Sequence, residues 1–508
     1  MPSKLRKKSS WSKVYDTPPM VVEKHPPSFV EYLVLVRNKM IEEMLKASTY
    51  GINLLHKIAI AGIAHASVIT ILTFRLVKAL IKGTWAWFLM FSRLSMFVAA
   101  LLPAFLTMLC HWLFHPLVLK NVAYGERSRN SLDLYLVSKK DLTEKASPKR
   151  PVLIFLTGGA WIIGYKMWGC LMGRALQKQG IVFVAPDYRN FPQAQVGEMV
   201  DDVTSAIDWT LKNIDRYGGD PEKVYLAGQS AGAHLAALAL LLRAASVESA
   251  ALESRTPVHH LMATLNPRAL PRAALALPSR VLAFPQAGYK QVRTLFGGGE
   301  EENPDNESSS HGPEWEVGEV KLPKMARGGG VASATWDPCK IKAFIGISGP
   351  YCLTKKMENH MHKRGLDRKI LTKIMGEQVE QWSPHTVAKA LGALGGLHRL
   401  PPVLLCHGRA DRTVPWWNTE SFANILRKGG ASDVITKYYE KWSHTDPILE
   451  APMAGEDVLC DDILKEIHRR SNIRILYLSK AVQQNPVVLT KRMLPDFLIK
   501  AGRYVNPF

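Results

Sequence analysis

No Cys-x-x-Cys pair occurs in the 508 residues; Cys110, Cys170, Cys339, Cys352, Cys406 and Cys460 are scattered, most of them among apolar neighbours. That spacing argues against a zinc site and against a dense disulfide framework, and a reducing compartment is the simpler reading. Acidic residues are also in deficit, 44 Asp and Glu against 65 Lys and Arg, for a formal net charge of +21. Such an excess attracts phosphate-rich surfaces, whether nucleic acid or anionic lipid headgroups. The basic residues are spread along the chain and no motif interleaves them with aromatics as a nucleic-acid reader would, so nucleic acid is not expected as a partner. A cleavable secretion signal is not expected either, because the basic residues 4–13 have no apolar stretch directly behind them. What is present is apolar: 47% of the residues, ample for a large buried core.

The chain divides by composition. Residues 1–57 read as a basic tail followed by an amphipathic helix, and residues 58–119 as a membrane-anchoring helical region. Within it, residues 58–74 carry no Lys, Arg, Asp or Glu, and residues 94–119, with Phe97, Leu101, Phe105 and Trp112, carry none either. About 20 apolar residues span a bilayer, so a helical hairpin of two crossings is expected, the second run being the stronger although Pro103 interrupts it. Between the runs, Arg75, Lys78, Lys82 and Arg93 surround Trp85, Trp87 and Phe88, a mixture suited to a membrane interface. Basic segments at 4–13 and 120–129 favour a cytoplasmic side for both ends, while the basic connector pulls the other way. Membrane lipid is therefore an expected partner.

Residues 120–470 change character: short apolar runs at 152–156, 181–185, 223–227, 343–347, 403–407 and 434–439 alternate with helix-like stretches such as 199–216 and 231–243. Continuous apolar strands separated by helices predict an α/β fold with a mostly parallel central sheet flanked by helices on both faces. In such sheets ligands bind beyond the carboxyl ends of the strands. Three motifs fall there. Gly228-Gln229-Ser230-Ala231-Gly232 is a G-x-S-x-G nucleophile turn between a strand and a helix. A serine hydroxyl needs a base, and the base an orienting acid, in the chain order Ser, Asp, His. Asp411, just past the run 403–407, and His444, just past 434–439, fit that order, whereas His407 reads as an inward or strand-end residue, His398 precedes its strand, and Asp433 and Asp446 read as surface or capping groups. Thr157-Gly158-Gly159-Ala160-Trp161 matches an oxyanion loop, so the N–H groups of Gly159, Ala160 and Ala231 are expected to face the developing oxyanion. Residues of about 245–336, rich in Pro, Ser, Gly and Glu, read as a flexible insertion, and 471–508 as a carboxyl-terminal extension. Asn306-Glu307-Ser308 forms a glycosylation sequon, whose use would put the insertion in a lumen.

With these residues in hand, the chain resembles the isoprenylcysteine α-carbonyl methylesterases of the α/β-hydrolase fold. The resemblance rests on Tyr124-Gly125-Glu126-Arg127 with Asn130, Leu132-Asp133-Leu134-Tyr135, Thr157 through Lys166, Asp187-Tyr188-Arg189-Asn190-Phe191-Pro192, Tyr217-Gly218-Gly219-Asp220-Pro221, Gly228 through His234, Ser383-Pro384 and His444-Thr445-Asp446. It implies a serine esterase that hydrolyses the C-terminal methyl ester of a prenylated cysteine, releases methanol, needs no metal or organic cofactor, and resides in endoplasmic-reticulum or Golgi membranes. The long insertion, Trp442 and the Asp446-Pro447 step depart from the family pattern. Two other readings use the same residues: a general carboxylesterase or lipase on other lipid or xenobiotic esters, and an inactive hydrolase-fold scaffold. Oligomeric state is not legible.

Overall fold

The computed structural model describes residue 70 and residues 85–138, 149–255, 331, 334–471 and 492–508. The basic tail 1–57, the first apolar run except Thr70, and residues 256–330 of the expected insertion with its sequon lie outside the described residues.

Eight strands form one sheet in the order β1-β2-β4-β3-β5-β6-β7-β8. β1 (Val118–Ala123) and β2 (Ser131–Tyr135) are antiparallel to each other, and β2 is antiparallel to β4 (Val182–Pro186). From β4 onward the pairing is parallel through β3 (Arg150–Leu156), β5 (Gly219–Gln229), β6 (Ile341–Ile347), β7 (Val403–Gly408) and β8 (Val434–Tyr439). The inner strands are apolar on both faces because helices cover both: β3 and β4 have buried side chains at almost every position.

The six parallel runs were expected from their apolar content; β1 and β2 were not. β1 carries Lys120 and Asn121, the latter with φ of +61° at a register shift, and β2 holds an acidic residue at its centre. That residue, Asp133, is fully buried and paired with the equally buried Lys166 at 2.8 Å. It also accepts from the Asn121 N–H at 2.9 Å and from Trp112 Nε1 at 2.7 Å. A buried charge is tolerated only when paired and hydrogen-bonded, and Asp133 has both.

Trp112 belongs to α1 (Trp85–Phe114). Along α1, Phe97, Leu101, Ala104, Met108 and Trp112 are buried at spacings of three and four, so one stripe packs on the domain. Met96, Leu102, Leu106 and Phe114, all apolar, are exposed on other faces. The segment Ser92–Phe114 is long and apolar enough to cross a membrane. The apolar run read as 94–119 thus ends its helix at Phe114 and enters β1.

Further helices are α2 (Cys170–Lys178), α3 (Val196–Asn213), α4 (Ala231–Arg255), α5 (Lys355–Lys363), α6 (Pro384–Ala393), α7 (Trp417–Lys428), α8 (Val458–Ser471) and α9 (Asp496–Val505). α4 is the central helix, with Leu235, Ala236, Leu238, Ala239 and Leu241 all buried. It continues beyond the expected end at 243, so residues 245–255 of the expected insertion are helical. At the other edge Trp336 is buried, its carbonyl accepting from Arg243 of α4 at 2.7 Å. α9 packs against α1, where Gly502 lets the two helices approach: a Cβ there would lie 3.1 Å from Leu101.

Candidate active site

The register sets the rim. Leu156 at the end of β3 pairs with Gly228 of β5, Gln229 with Ile347 of β6, Ile347 with Cys406 of β7, and Gly408 with Tyr439 of β8. The loops leaving β3, β5, β7 and β8 therefore emerge side by side at one edge, the place expected for ligands in a parallel sheet.

Ser230 sits between β5 and α4 with φ of +53°, a left-handed conformation that costs free energy for a residue with a Cβ. It is held there by its N–H donating to Ile347 O at 2.8 Å and its carbonyl accepting from His234 N at 3.1 Å. The flanking glycines are required by space. A Cβ on Gly232 would lie 2.2 Å from Leu156 O, and one on Gly228 would lie 2.6 Å from Gly232 O. The turn lifts the Ser230 hydroxyl toward His444, whose Nε2 lies 2.8 Å from Ser230 Oγ. His444 Nδ1 lies 2.7 Å from Asp411 Oδ2. Since the carboxylate can only accept, Nδ1 carries the proton, and Nε2 is free to accept from the serine hydroxyl. Ser230, His444 and Asp411, separated by up to 214 residues, are all buried.

Burial alone would raise the Asp411 carboxyl, but the charge of His444 and hydrogen bonds from His407 and His444 hold it well below the usual carboxylate range. Its Oδ1 accepts from the N–H groups of Thr413 and Val414, each at 2.9 Å. His407 was expected as an inward or strand-end residue. It is buried near the end of β7, and it also lies 3.2 Å from Asp411 Oδ2 through Nε2, which donates to Val414 O at 2.8 Å while Nδ1 accepts from Thr419 Oγ1 at 2.7 Å. No local sequence signal marks this contact beyond the spacing of four residues from Asp411.

The loop after β3 is the most strained stretch among the described residues, with positive φ at Gly159 (+132°), Ala160 (+50°) and Trp161 (+60°) in succession. A Cβ on Gly159 would lie 2.5 Å from Gly164 N, and one on Gly158 would lie 2.8 Å from Ser230 Cβ, so this backbone passes against the serine. Ala231 opens α4, and a first-turn N–H has no partner within its own helix. The strain is held by side chains from the segments that carry the resemblance. Tyr188 Oη donates to Thr157 O at 2.8 Å, and Gly164 O accepts from Asn190 at 2.7 Å and from Arg129 at 2.6 Å. Arg129 also clamps Asp187, and Tyr124 Oη donates to Asp187 O.

His234 of the Gly-Gln-Ser-Ala-Gly-Ala-His run is a supporting residue. It is fully buried between Trp161 Nε1, 3.3 Å from Nδ1, and Trp382 O, 2.8 Å from Nε2. Burial pushes its pKa down to about 3, so the ring is neutral and pins Trp161 of the strained loop to α4.

Of the rivals, His398 is exposed before β7, and Asp433 forms ion pairs with Arg469 and Arg470. Asp446, expected as a surface or capping group, is not at the surface: it is buried, its Oδ2 accepts from the Ser443 N–H at 3.3 Å, and it is paired with Arg503 Nε at 2.9 Å. The partner lies 57 residues away, too far for a local reading to find. All six cysteines are free thiols, and among the described residues no group of His, Cys, Asp and Glu is arranged to hold a metal ion.

A family model described as BD-FAE matches residues 132–264. A probable isoprenylcysteine alpha-carbonyl methylesterase of Oryza sativa subsp. japonica is 32% identical over 443 residues, 87% of this chain and 82% of that protein. An isoprenylcysteine alpha-carbonyl methylesterase of Arabidopsis thaliana is 32% identical over 450 residues, 88% and 82% of the two chains. Among solved structures, a thermophilic esterase of Thermogutta terrifontis with propionate bound is 20% identical, covers 70% of this chain and 96% of its own, and gives a TM-score of 0.41.

Proposed function

We propose, from the premise that this chain belongs to the isoprenylcysteine alpha-carbonyl methylesterase family, that Ser230, His444 and Asp411 are nucleophile, base and orienting acid in hydrolysis of prenylcysteine methyl esters. The chain is a carboxylic ester hydrolase, and ester hydrolysis needs an activated nucleophile. The observation that carries the assignment is the unbroken relay from Ser230 Oγ through both ring nitrogens of His444 to Asp411, at 2.8 and 2.7 Å.

In this reading Ser230 Oγ attacks the carbonyl carbon of the methyl ester as His444 Nε2 takes its proton. Negative charge moves to the carbonyl oxygen, where the N–H groups of Gly159, Ala160 and Ala231 receive it. Collapse breaks the bond to the methoxy oxygen, which leaves as methanol with the proton from His444. A water then attacks the acyl carbon, again giving its proton to His444, and the second collapse frees the carboxylate and restores the serine. Asp411 keeps the imidazole in the tautomer both halves require and offsets its positive charge in between.

A prenyl chain gains about 0.8 kcal/mol per CH₂ removed from water, so its bearer stays near lipid. The reading therefore includes membrane attachment through residues 58–119, with the outward apolar residues of α1 against lipid, at an endoplasmic-reticulum or Golgi membrane and with the catalytic domain on the cytoplasmic side. It divides the remaining chain into the catalytic domain, residues 120–470, an insertion at about 245–336 and an extension at 471–508.

The deciding experiment compares hydrolysis of farnesylcysteine methyl ester with that of a plain short-chain methyl ester, by the intact chain and by Ser230→Ala. A clear preference for the prenylated ester, lost in the variant, is expected. Equal rates on both esters would make the chain a general esterase, and full activity of the variant would remove the serine mechanism.

A further inference from the structure

The base sits in a loop. His444 lies between β8 and the short helix Glu450–Ala454, in a stretch with no regular secondary structure of its own. On the active-site side the loop is steadied by Gln229 Nε2 donating to His444 O at 3.3 Å, and by the crossing at Gly408, where any Cβ would lie 2.1 Å from Trp442 O. From the other side, residues after and within α9 hold it. Asn506, itself buried, places Nδ2 at 3.0 Å from Ser443 Oγ, 2.9 Å from Thr445 Oγ1 and 2.5 Å from Glu450 Oε1. It thus grips the residues on both sides of His444. Thr445 Oγ1 also donates to Glu450 Oε1 at 3.0 Å. One turn earlier, Arg503 Nε donates to Asp446 Oδ1 at 2.9 Å and its Nη2 to Glu456 Oε2 at 2.8 Å.

This segment is in turn tied to α1 and α5. Arg93 of α1 donates to the carbonyls of Val505 and Asn506, each at 3.3 Å, Arg364 after α5 donates to Pro507 O, and Phe97 meets Phe508 edge to face at 6.3 Å. The hydrogen bonds therefore run from α1 through residues 503–508 to the loop that carries the base.

We propose that Asn506 and Arg503 are positioning residues for His444, making α9 and the residues after it a strap that sets the angle at which the imidazole meets Ser230. The proposal rests on the assignment of His444 as base and deepens it. A misplacement of about 1 Å at a reacting group costs about 100-fold in rate, whereas the same strap removed from a merely structural loop would leave per-site turnover untouched.

The test uses the full chain in detergent with a soluble short-chain chromogenic ester, active-site concentration from covalent fluorophosphonate titration, and melting temperature in parallel. Asn506→Ala is expected to lower kcat per titrated site by about 10- to 100-fold with KM within about twofold. The rate of fluorophosphonate labelling should fall in proportion, and the acid limb of the kcat/KM profile should move to lower pH as the imidazole–Asp411 contact loosens. Arg503→Ala should act in the same direction by about 3- to 10-fold, with most of the rate recovered in Arg503→Lys, which can still meet Asp446. Because Arg503 is about a third exposed, with a relative side-chain accessibility of 34%, this pair carries the test should Asn506→Ala not fold. A lower melting temperature or fewer titratable sites with unchanged per-site kcat, labelling rate and pH profile would overturn the proposal and leave these residues as fold stabilisers. Labelling that persists in Ser230→Ala would instead overturn the triad assignment.

Discussion

Among the described residues two helices are long and apolar enough to cross a membrane, and the structure treats them oppositely. In Ala231–Ala251, within α4, the apolar window is 89% buried; in Ser92–Phe114, within α1, it is 28% buried. α4 is enclosed by the sheet and by α3 and α6 and delivers Ser230 to the rim from its amino end. α1 uses one stripe to reach the domain and leaves Met96, Leu102, Leu106 and Phe114 open. A helix apolar all round must be covered on every side, so α4 has protein as its environment, while much of α1 is left uncovered among the described residues. Hydropathy alone cannot separate the two; the covering surfaces do.

The contrast can be broken most decisively at the head of α4. Ser230→Ala should reduce ester hydrolysis by about 10⁴-fold or more, read as kcat, with the melting temperature held within a few degrees, because in the proposed mechanism the side chain serves chemistry and not packing. A similar charge placed in the two helices should then have opposite effects. Leu238→Asp, in the enclosed helix, is expected to cost more than about 4 kcal/mol and prevent folding, measured as loss of soluble folded protein.

The inner stripe of α1 can be separated from its outer face. Asp133→Ala would strand Lys166 and free Trp112, and should cost about 3–5 kcal/mol in denaturant unfolding, the usual result of removing one partner of a buried pair. Near α9, which packs on α1, burial and the neighbouring Asp446 push Glu450 up to about 8 from 4.5. Between those values the unfolded chain ionises this carboxyl while the folded chain keeps its proton, so stability is complete below about pH 4.5 and is lost as pH rises toward 8. Glu450→Gln should therefore show a smaller fall in melting temperature from pH 5 to pH 8 than the parent chain. The smallest effect on the fold is expected on the outer face of α1. Leu106→Asp should change unfolding free energy by no more than about 0.5 kcal/mol, yet lower partition into phospholipid vesicles. Unchanged partition would mean that this face does not meet lipid.

The parallel half of the sheet and the rim were legible because each parallel strand is a continuous apolar run and each rim residue directly follows one. Gly228 and Gly232 announced the turn at Ser230 because no side chain fits where they stand. β1 and β2 escaped because their polar residues are satisfied by partners far along the chain: a buried charge such as Asp133 interrupts the apolar run by which a strand is recognised, and Lys166 and Trp112 lie beside it only in the fold. Asp446 was read as a surface or capping group and its burial escaped for the same reason, its counter-ion being Arg503. His407 was read as an inward or strand-end residue, but its contact with Asp411 depends on how the chain turns after β7. The support given to Gly164 by Arg129 and Asn190 is likewise visible only once the strands are side by side, although the resemblance had drawn attention to the segments that hold them.

The most direct measurement is mass mapping of the peptide modified when the full chain reacts with one equivalent of a fluorophosphonate. A single adduct on Ser230, formed in step with loss of esterase activity and slowed by about 10³-fold or more in His444→Ala, is the expected result. An adduct on another residue, or modification of Ser230 that leaves hydrolysis intact, would contradict the account.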